Sequence, residues 1–127
     1  MTPETTRFLE KANRLLAEAD AMLKIGFNEA AGRTADLPAF HGAQAVISEK
    51  TGRTVKTHEG VHTEFQRLTK DDQNLPSKLR GFLSYAYNLK AIADYETGPG
   101  AEVSAEQASR ALEQANRFVA YITILLA

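Results

Sequence analysis

The sequence predicts an all-α fold, an up-and-down bundle of four long helices and one short helix that forms a single domain over residues 1–127. Three observations favour this prediction. Apolar residues recur at helical spacing along almost the whole chain, capping residues precede the apolar runs, and no stretch alternates apolar and polar residues as a strand does. The length of 127 residues suits one hydrophobic core.

The first two predicted helices have clear start and stop signals. Thr2 can cap the first helix, Pro3 suits its first position, and Gly26 is expected to end it. A second helix is predicted from Asn28 to Thr51, where Gly52 closes it. Its stretch "AFHGAQAVI" is almost wholly apolar, so this helix should lie at the centre of the bundle.

Pro38 lies inside the second predicted helix. A proline there removes one backbone hydrogen bond and clashes with the preceding turn, at a cost of about 3 kcal/mol. We therefore expect a kink between Thr34 and Pro38.

The second half of the chain contains three further predicted helices. Thr57 can cap a short helix, and "TKDDQNLPS" is expected to be a loop before a helix from Ser77 to Tyr95. The stretch "ETGPGAEV" is the clearest helix breaker in the chain. Ser104, followed three residues later by Gln107, forms a capping box at the start of the last helix.

Composition narrows the functional classes. The chain has 43% hydrophobic and 24% charged residues and a net charge of −1, which is typical of a soluble globular protein. The absence of cysteine excludes disulfides, thiolate zinc sites and a cysteine nucleophile. No apolar run approaches the roughly 20 residues of a membrane span, and no secretory signal is recognised, so we expect a cytoplasmic protein. Basic residues outnumber acidic ones between positions 50 and 90, which is typical of a phosphate-facing side.

The residues His58, Glu59 and His62 spell H-E-x-x-H, the pattern of zinc peptidases. Such a site also needs a third protein ligand, and the remaining histidine, His41, lies upstream on another predicted helix. The alternative is an ordinary helix with His58 in its first turn and His62 on its surface. We favour this alternative and predict no metal and no cofactor.

Three blocks of the sequence resemble those of the HEPN family. They are "AFHGAQA" at residues 39–45, "KTHEGV" at residues 56–61 and "LKAIADY" at residues 89–95. The family comprises small helical-bundle proteins of prokaryotes, often encoded beside a minimal nucleotidyltransferase as a toxin–antitoxin pair. The resemblance also accounts for "THEGV" without a metal, because the first histidine belongs to a family block.

The resemblance implies metal-independent cleavage of RNA by a homodimer. Active family members carry an Arg and a His on one helix, four to six residues apart, and the pair available here is Arg33 and His41, with seven residues between them. A neutral imidazole can take the proton of a ribose 2′-OH, and a guanidinium can hold the phosphate oxygens. A kink at Pro38, or a second copy of the chain, would bring Arg33 to His41.

A second group of residues is predicted to bind RNA or phosphate: Arg53, Lys56, Thr57 and His58. The alternative for Arg53 and Lys56 is a solvated loop. Alternatives remain for the catalytic pair. His41 can be a core or interface residue, and Arg33 can pair with Asp36 or Glu29 along its helix. The protein would then be a non-catalytic module that binds a nucleotide or a nucleotidyltransferase partner.

Overall fold

Helices form the secondary structure of the computed structural model, which describes residues 1–100 and 102–127. Their bounds are α1 Pro3–Lys24, α2 Asn28–Thr34, α3 Asp36–Thr51, α4 His58–Thr69, α5 Ser77–Arg80, α6 Phe82–Tyr95 and α7 Ala105–Leu126. No strand occurs in these two described ranges. The predicted all-α bundle is therefore confirmed.

The predicted caps form as their local chemistry requires. Thr2 accepts a hydrogen bond from the Thr5 N–H at 3.1 Å, and Pro3 is the first residue of α1. Gly26, just beyond the end of α1, has a φ of 89°, a left-handed conformation that glycine adopts without strain. At the start of α7, Ser104 and Gln107 make both hydrogen bonds of the capping box.

Two of the predicted long helices are interrupted. The helix expected from Asn28 to Thr51 is divided at Ala35 into α2 and α3. The cause is Pro38, which has no N–H to donate to the Thr34 carbonyl four residues earlier. The helix expected from Ser77 to Tyr95 is likewise divided at Gly81 into α5 and α6.

Helix α3 is central, as its apolar sequence predicts. It packs against α1, α4, α6 and α7, and every residue from Gly42 to Ser48 is buried. Of the "ETGPGAEV" breaker, Ala101 lies outside the described residues, and the others separate α6 from α7. None of the described helices is both long and apolar enough to span a membrane.

Candidate functional site

His41 is held in one orientation by a chain of two hydrogen bonds. Its Nδ1 lies 2.7 Å from Gln44 Oε1, and Gln44 Nε2 donates to the Val55 carbonyl at 2.8 Å. Because a carbonyl only accepts, the Gln44 amide must present its own oxygen to His41. The neutral imidazole therefore carries its proton on Nδ1, and its lone pair is on Nε2.

The surroundings of His41 favour the neutral ring. Phe8 stacks on it at 6.4 Å between ring centroids, and Phe40 meets its edge at 5.5 Å. This partial burial lowers the pKa of His41, and the nearby charges of Lys11 and Arg14 lower it further, against the opposing hydrogen bond from Gln44. Among the described residues nothing bonds to Nε2, which is not buried. The ring is therefore held through Nδ1, and its Nε2 has no partner among the described residues.

Arg33 is directed to a different part of the molecule. It lies in the last turn of α2, and its Nη1 is 3.5 Å from Asp94 Oδ1 on α6. Lys90 Nζ is 2.8 Å from the other oxygen of the same carboxylate, and this hydrogen bond lowers the pKa of Asp94. Arg33 thus pairs with α6, and neither Asp36 nor Glu29, its two expected partners, is used.

The predicted pair of Arg33 and His41 is not in contact within one chain. No hydrogen bond joins them in the part of the chain that the structure describes, and their neighbours lie on α6 and α1 respectively. The reason is the division of the predicted helix, which places Arg33 on α2 and His41 on α3. The interruption at Ala35 leaves Arg33 beside Asp94.

Of the four residues assigned to RNA or phosphate binding, most have structural partners. Arg53 lies 3.2 Å from the carboxylate of Glu64. Thr57 caps α4 by accepting a hydrogen bond from the Gly60 N–H at 3.0 Å. Lys56 is exposed and forms no ion pair with another described residue. His58, the fourth, belongs to a partly buried cluster.

That cluster joins α3, α4 and α6. The His58 ring packs on Tyr87 at 4.4 Å and on Phe40 at 4.6 Å, and its Nε2 is 3.9 Å from Asp36 Oδ2. Asp36 is fully buried, and neither of its oxygens accepts a hydrogen bond from any described residue. Burial raises the pKa of Asp36, while His58 and Lys90 act in the opposite direction.

His62 corrects the expectation of a surface residue. It is half-buried, its Nε2 is buried without a partner among the described residues, and its ring lies 6.1 Å from that of His58. Burial, together with His58, lowers the pKa of His62. The cause is the orientation of the short helix α4, whose face that carries His62 is directed towards Tyr87 on α6.

The H-E-x-x-H pattern does not gather a set of metal ligands. Glu59 is exposed, and within the two described ranges no three His, Cys, Asp or Glu side chains are grouped so as to hold a metal ion. Both histidines instead face Tyr87.

Sequence reasoning missed two polar residues of these sites. Gln44 follows His41 by three residues, and one helical turn of separation is a signal that could have identified it. Asp36 has no comparable signal, because an acidic residue in the first turn of a helix is ordinary and often exposed.

The profile of the HEPN domain matches residues 5–125. The chain belongs to the HEPN domain family. Among solved structures, the crystal structure of TT1696 from Thermus thermophilus has a TM-score of 0.75 and 19% identity, and the match covers 96% of this chain and 98% of that one. This likeness concerns the fold. No curated protein is significantly similar in sequence. The family includes ribonucleases and nucleotide-binding modules.

Proposed function

We propose that this HEPN protein is a metal-independent endoribonuclease in which His41 is the general base. One observation carries the proposal: Gln44, itself anchored on the Val55 carbonyl, holds the imidazole with its proton on Nδ1 and leaves Nε2 open. A base needs a lone pair directed outward and a pKa that keeps it unprotonated near neutrality. Partial burial of His41 lowers its pKa in that direction.

The proposed reaction is an internal transfer on RNA. His41 Nε2 takes the proton of a ribose 2′-OH, the 2′-oxygen forms a bond to the adjacent phosphorus, and the bond to the 5′-oxygen breaks. The leaving 5′-oxygen takes a proton from solvent, and the imidazolium loses its proton to solvent afterwards. The products are a 2′,3′-cyclic phosphate and a 5′-OH, and DNA lacks the nucleophile.

A homodimer is part of the proposal. Since Arg33 pairs with Asp94 in its own chain, its role as phosphate clamp requires it to reach His41 of a second copy. Lys56, which is exposed, remains the clearest candidate for an RNA contact among the residues predicted to bind RNA or phosphate. Arg53, Thr57 and His58 would have to leave their present partners to contact RNA.

The test is cleavage of a single-stranded RNA by purified protein in excess EDTA. His41→Ala, purified in parallel as the control for contaminating nuclease, should lose about 10²–10⁴-fold in rate, the usual contribution of a general base. Matching circular dichroism and melting curves would show that the variant is folded. An all-2′-O-methyl copy of the RNA should resist cleavage. Equal cleavage by wild type and His41→Ala would refute the proposal.

The second candidate is a binding module that recognises a nucleotide or a protein partner and cuts nothing. The observation that favours it is the engagement of Arg33 by Asp94, which occupies the guanidinium predicted to be the phosphate clamp. If pure wild-type protein bound RNA but left it intact under all the conditions above, this candidate would replace the nuclease.

The biological setting proposed from the family is a toxin–antitoxin module in the cytoplasm, with a minimal nucleotidyltransferase as antitoxin. Expression of the chain should arrest growth, His41→Ala should not, and co-expression of a minimal nucleotidyltransferase as the proposed antitoxin should relieve the arrest. Growth arrest by His41→Ala equal to that by wild type would contradict the toxin assignment.

A further inference from the structure

Helices α1 and α3 run antiparallel with a register that can be read from their contacts. The Thr5 hydroxyl lies 3.3 Å from that of Ser48, which places the start of α1 against the end of α3. Both helices rise about 1.5 Å per residue, so seven steps back from Ser48 to His41 match seven steps forward from Thr5 to Ala12. The residues of α1 that flank Ala12 are therefore level with His41.

Two basic residues flank this point on the exposed side of α1. Ala12 itself is buried, whereas Lys11 and Arg14 are exposed. Lys11 follows Phe8 by one helical turn, and the Phe8 ring stacks on that of His41. Side chains on a helix lean towards its N-terminus, so both cations lean back towards Phe8 and the imidazole.

Neither cation has the carboxylate of another described residue within ion-pairing distance. In the described chain, Lys11 and Arg14 form no ion pair, unlike Arg7 with Glu4 earlier on the same helix. The charged side chains that act on the imidazole of His41 are these two, and both are basic. A negatively charged ligand at His41 Nε2 would therefore be attracted by the positive charges of Lys11 and Arg14 from the same chain.

We propose that Lys11 and Arg14 form a phosphate-binding arm on α1 that holds the scissile phosphate at His41 in cis. This inference rests on the proposed ribonuclease function and deepens it, because it names two further cations that act from the same chain as His41. The Arg14 guanidinium and the Lys11 ammonium contact the non-bridging phosphate oxygens, where negative charge builds up as the 2′-oxygen attacks. The proton still passes to His41 Nε2.

The experiment compares Lys11→Ala, Arg14→Ala and the double variant with Lys24→Ala. Lys24 is the matched control, since it lies on the same helix, near its other end, and pairs with Asp20 at 3.0 Å. The double variant should lose about 10²-fold or more in kcat/KM on single-stranded RNA, the scale of removing a transition-state donor. Lys24→Ala should cut like wild type.

Binding gives a second readout that a merely structural role would not change. The slope of log affinity against log salt should become shallower by about 0.7 in the double variant, since both cations neutralise one phosphate and each neutralised phosphate of a single strand contributes about 0.7. Inorganic phosphate should also move the NMR signals of the His41 ring in wild type and leave them in place in the double variant. Lys11→Arg, which keeps the charge, should retain activity.

The outcomes separate this inference from the nuclease proposal. If His41→Ala is inactive and the double variant is fully active with an unchanged salt slope, the arm is refuted while the nuclease stands. If wild type binds RNA without cutting it, and the double variant loses salt-dependent affinity, the nuclease fails while the arm stands as a binding site. If wild type neither cuts RNA nor binds it, both are refuted.

Discussion

Replacing Gln44 tests the geometry on which the His41 assignment depends. Gln44→Leu removes two hydrogen bonds, those to His41 Nδ1 and to the Val55 carbonyl. Each is worth about 1 kcal/mol net, so the free energy of unfolding should fall by about 2 kcal/mol. For a chain of 127 residues this corresponds to a melting temperature lower by roughly 6–10 °C. Urea unfolding measures the first quantity and calorimetry the second.

The same variant should change the chemistry of the ring. The Gln44 hydrogen bond raises the pKa of His41, so its loss should lower that pKa further, as measured by an NMR pH titration. In wild type, ¹⁵N spectra at neutral pH should show the proton on Nδ1. Gln73→Leu, an exposed control, should stay within about 0.5 kcal/mol of wild type. A wild-type ring protonated on Nε2 instead would refute the orientation argument and with it the assignment of Nε2 as the base.

Three further predictions concern the fold. Burial raises the pKa of Asp36 above its ordinary 3.8, so its ionised form destabilises the folded state increasingly as pH rises through that raised pKa. Asp36→Asn should therefore have a free energy of unfolding about 1–2 kcal/mol higher than that of wild type at pH 7.5, and it should lose this advantage below pH ~4. Urea unfolding that showed the same difference at both pH values would contradict this prediction. Phe118→Ala should lower the free energy of unfolding by about 3–5 kcal/mol, because the Phe118 ring is fully buried and its centroid lies 5.2 Å from that of Phe65. A loss below ~1 kcal/mol in urea unfolding would mean that the surrounding side chains close the cavity, against this prediction. Ser104→Ala should lower the free energy of unfolding by about 1 kcal/mol, because it removes the N-cap of α7. An unchanged melting temperature would show that this cap does not stabilise the fold.

Helix caps and buried faces were predictable because they depend on residues within one or two turns of each other. The caps at Thr2, Thr57 and Ser104 formed where the sequence placed them. Pro38 signalled a distortion, but the division into α2 and α3 at Ala35 depends on which carbonyl loses its donor. The division of a second helix at Gly81 was not predicted, because the helical pattern of apolar residues continues across this glycine.

The contacts of the candidate site were harder to predict because they join distant parts of the chain. His41 was identified through the family resemblance, and its Gln44 partner lies one turn away. The carbonyl that orients Gln44 belongs to Val55, in the segment between α3 and α4. Arg33 is predicted to act beside His41, with an ion pair along its own helix as the alternative, but the packing of α2 against α6 brings it to Asp94.

The sequence by itself determined the helical class, the caps and the central place of α3, because periodicity and local hydrogen bonding follow from neighbouring residues. The family was indicated separately, by the resemblance of three sequence blocks. Only the tertiary structure decided that Asp36 faces His58, that Arg33 lies beside Asp94, and that Phe8 of α1 stacks on His41. These contacts depend on how each helix is rotated and in what register it packs, and both are set by the fit of whole helical surfaces.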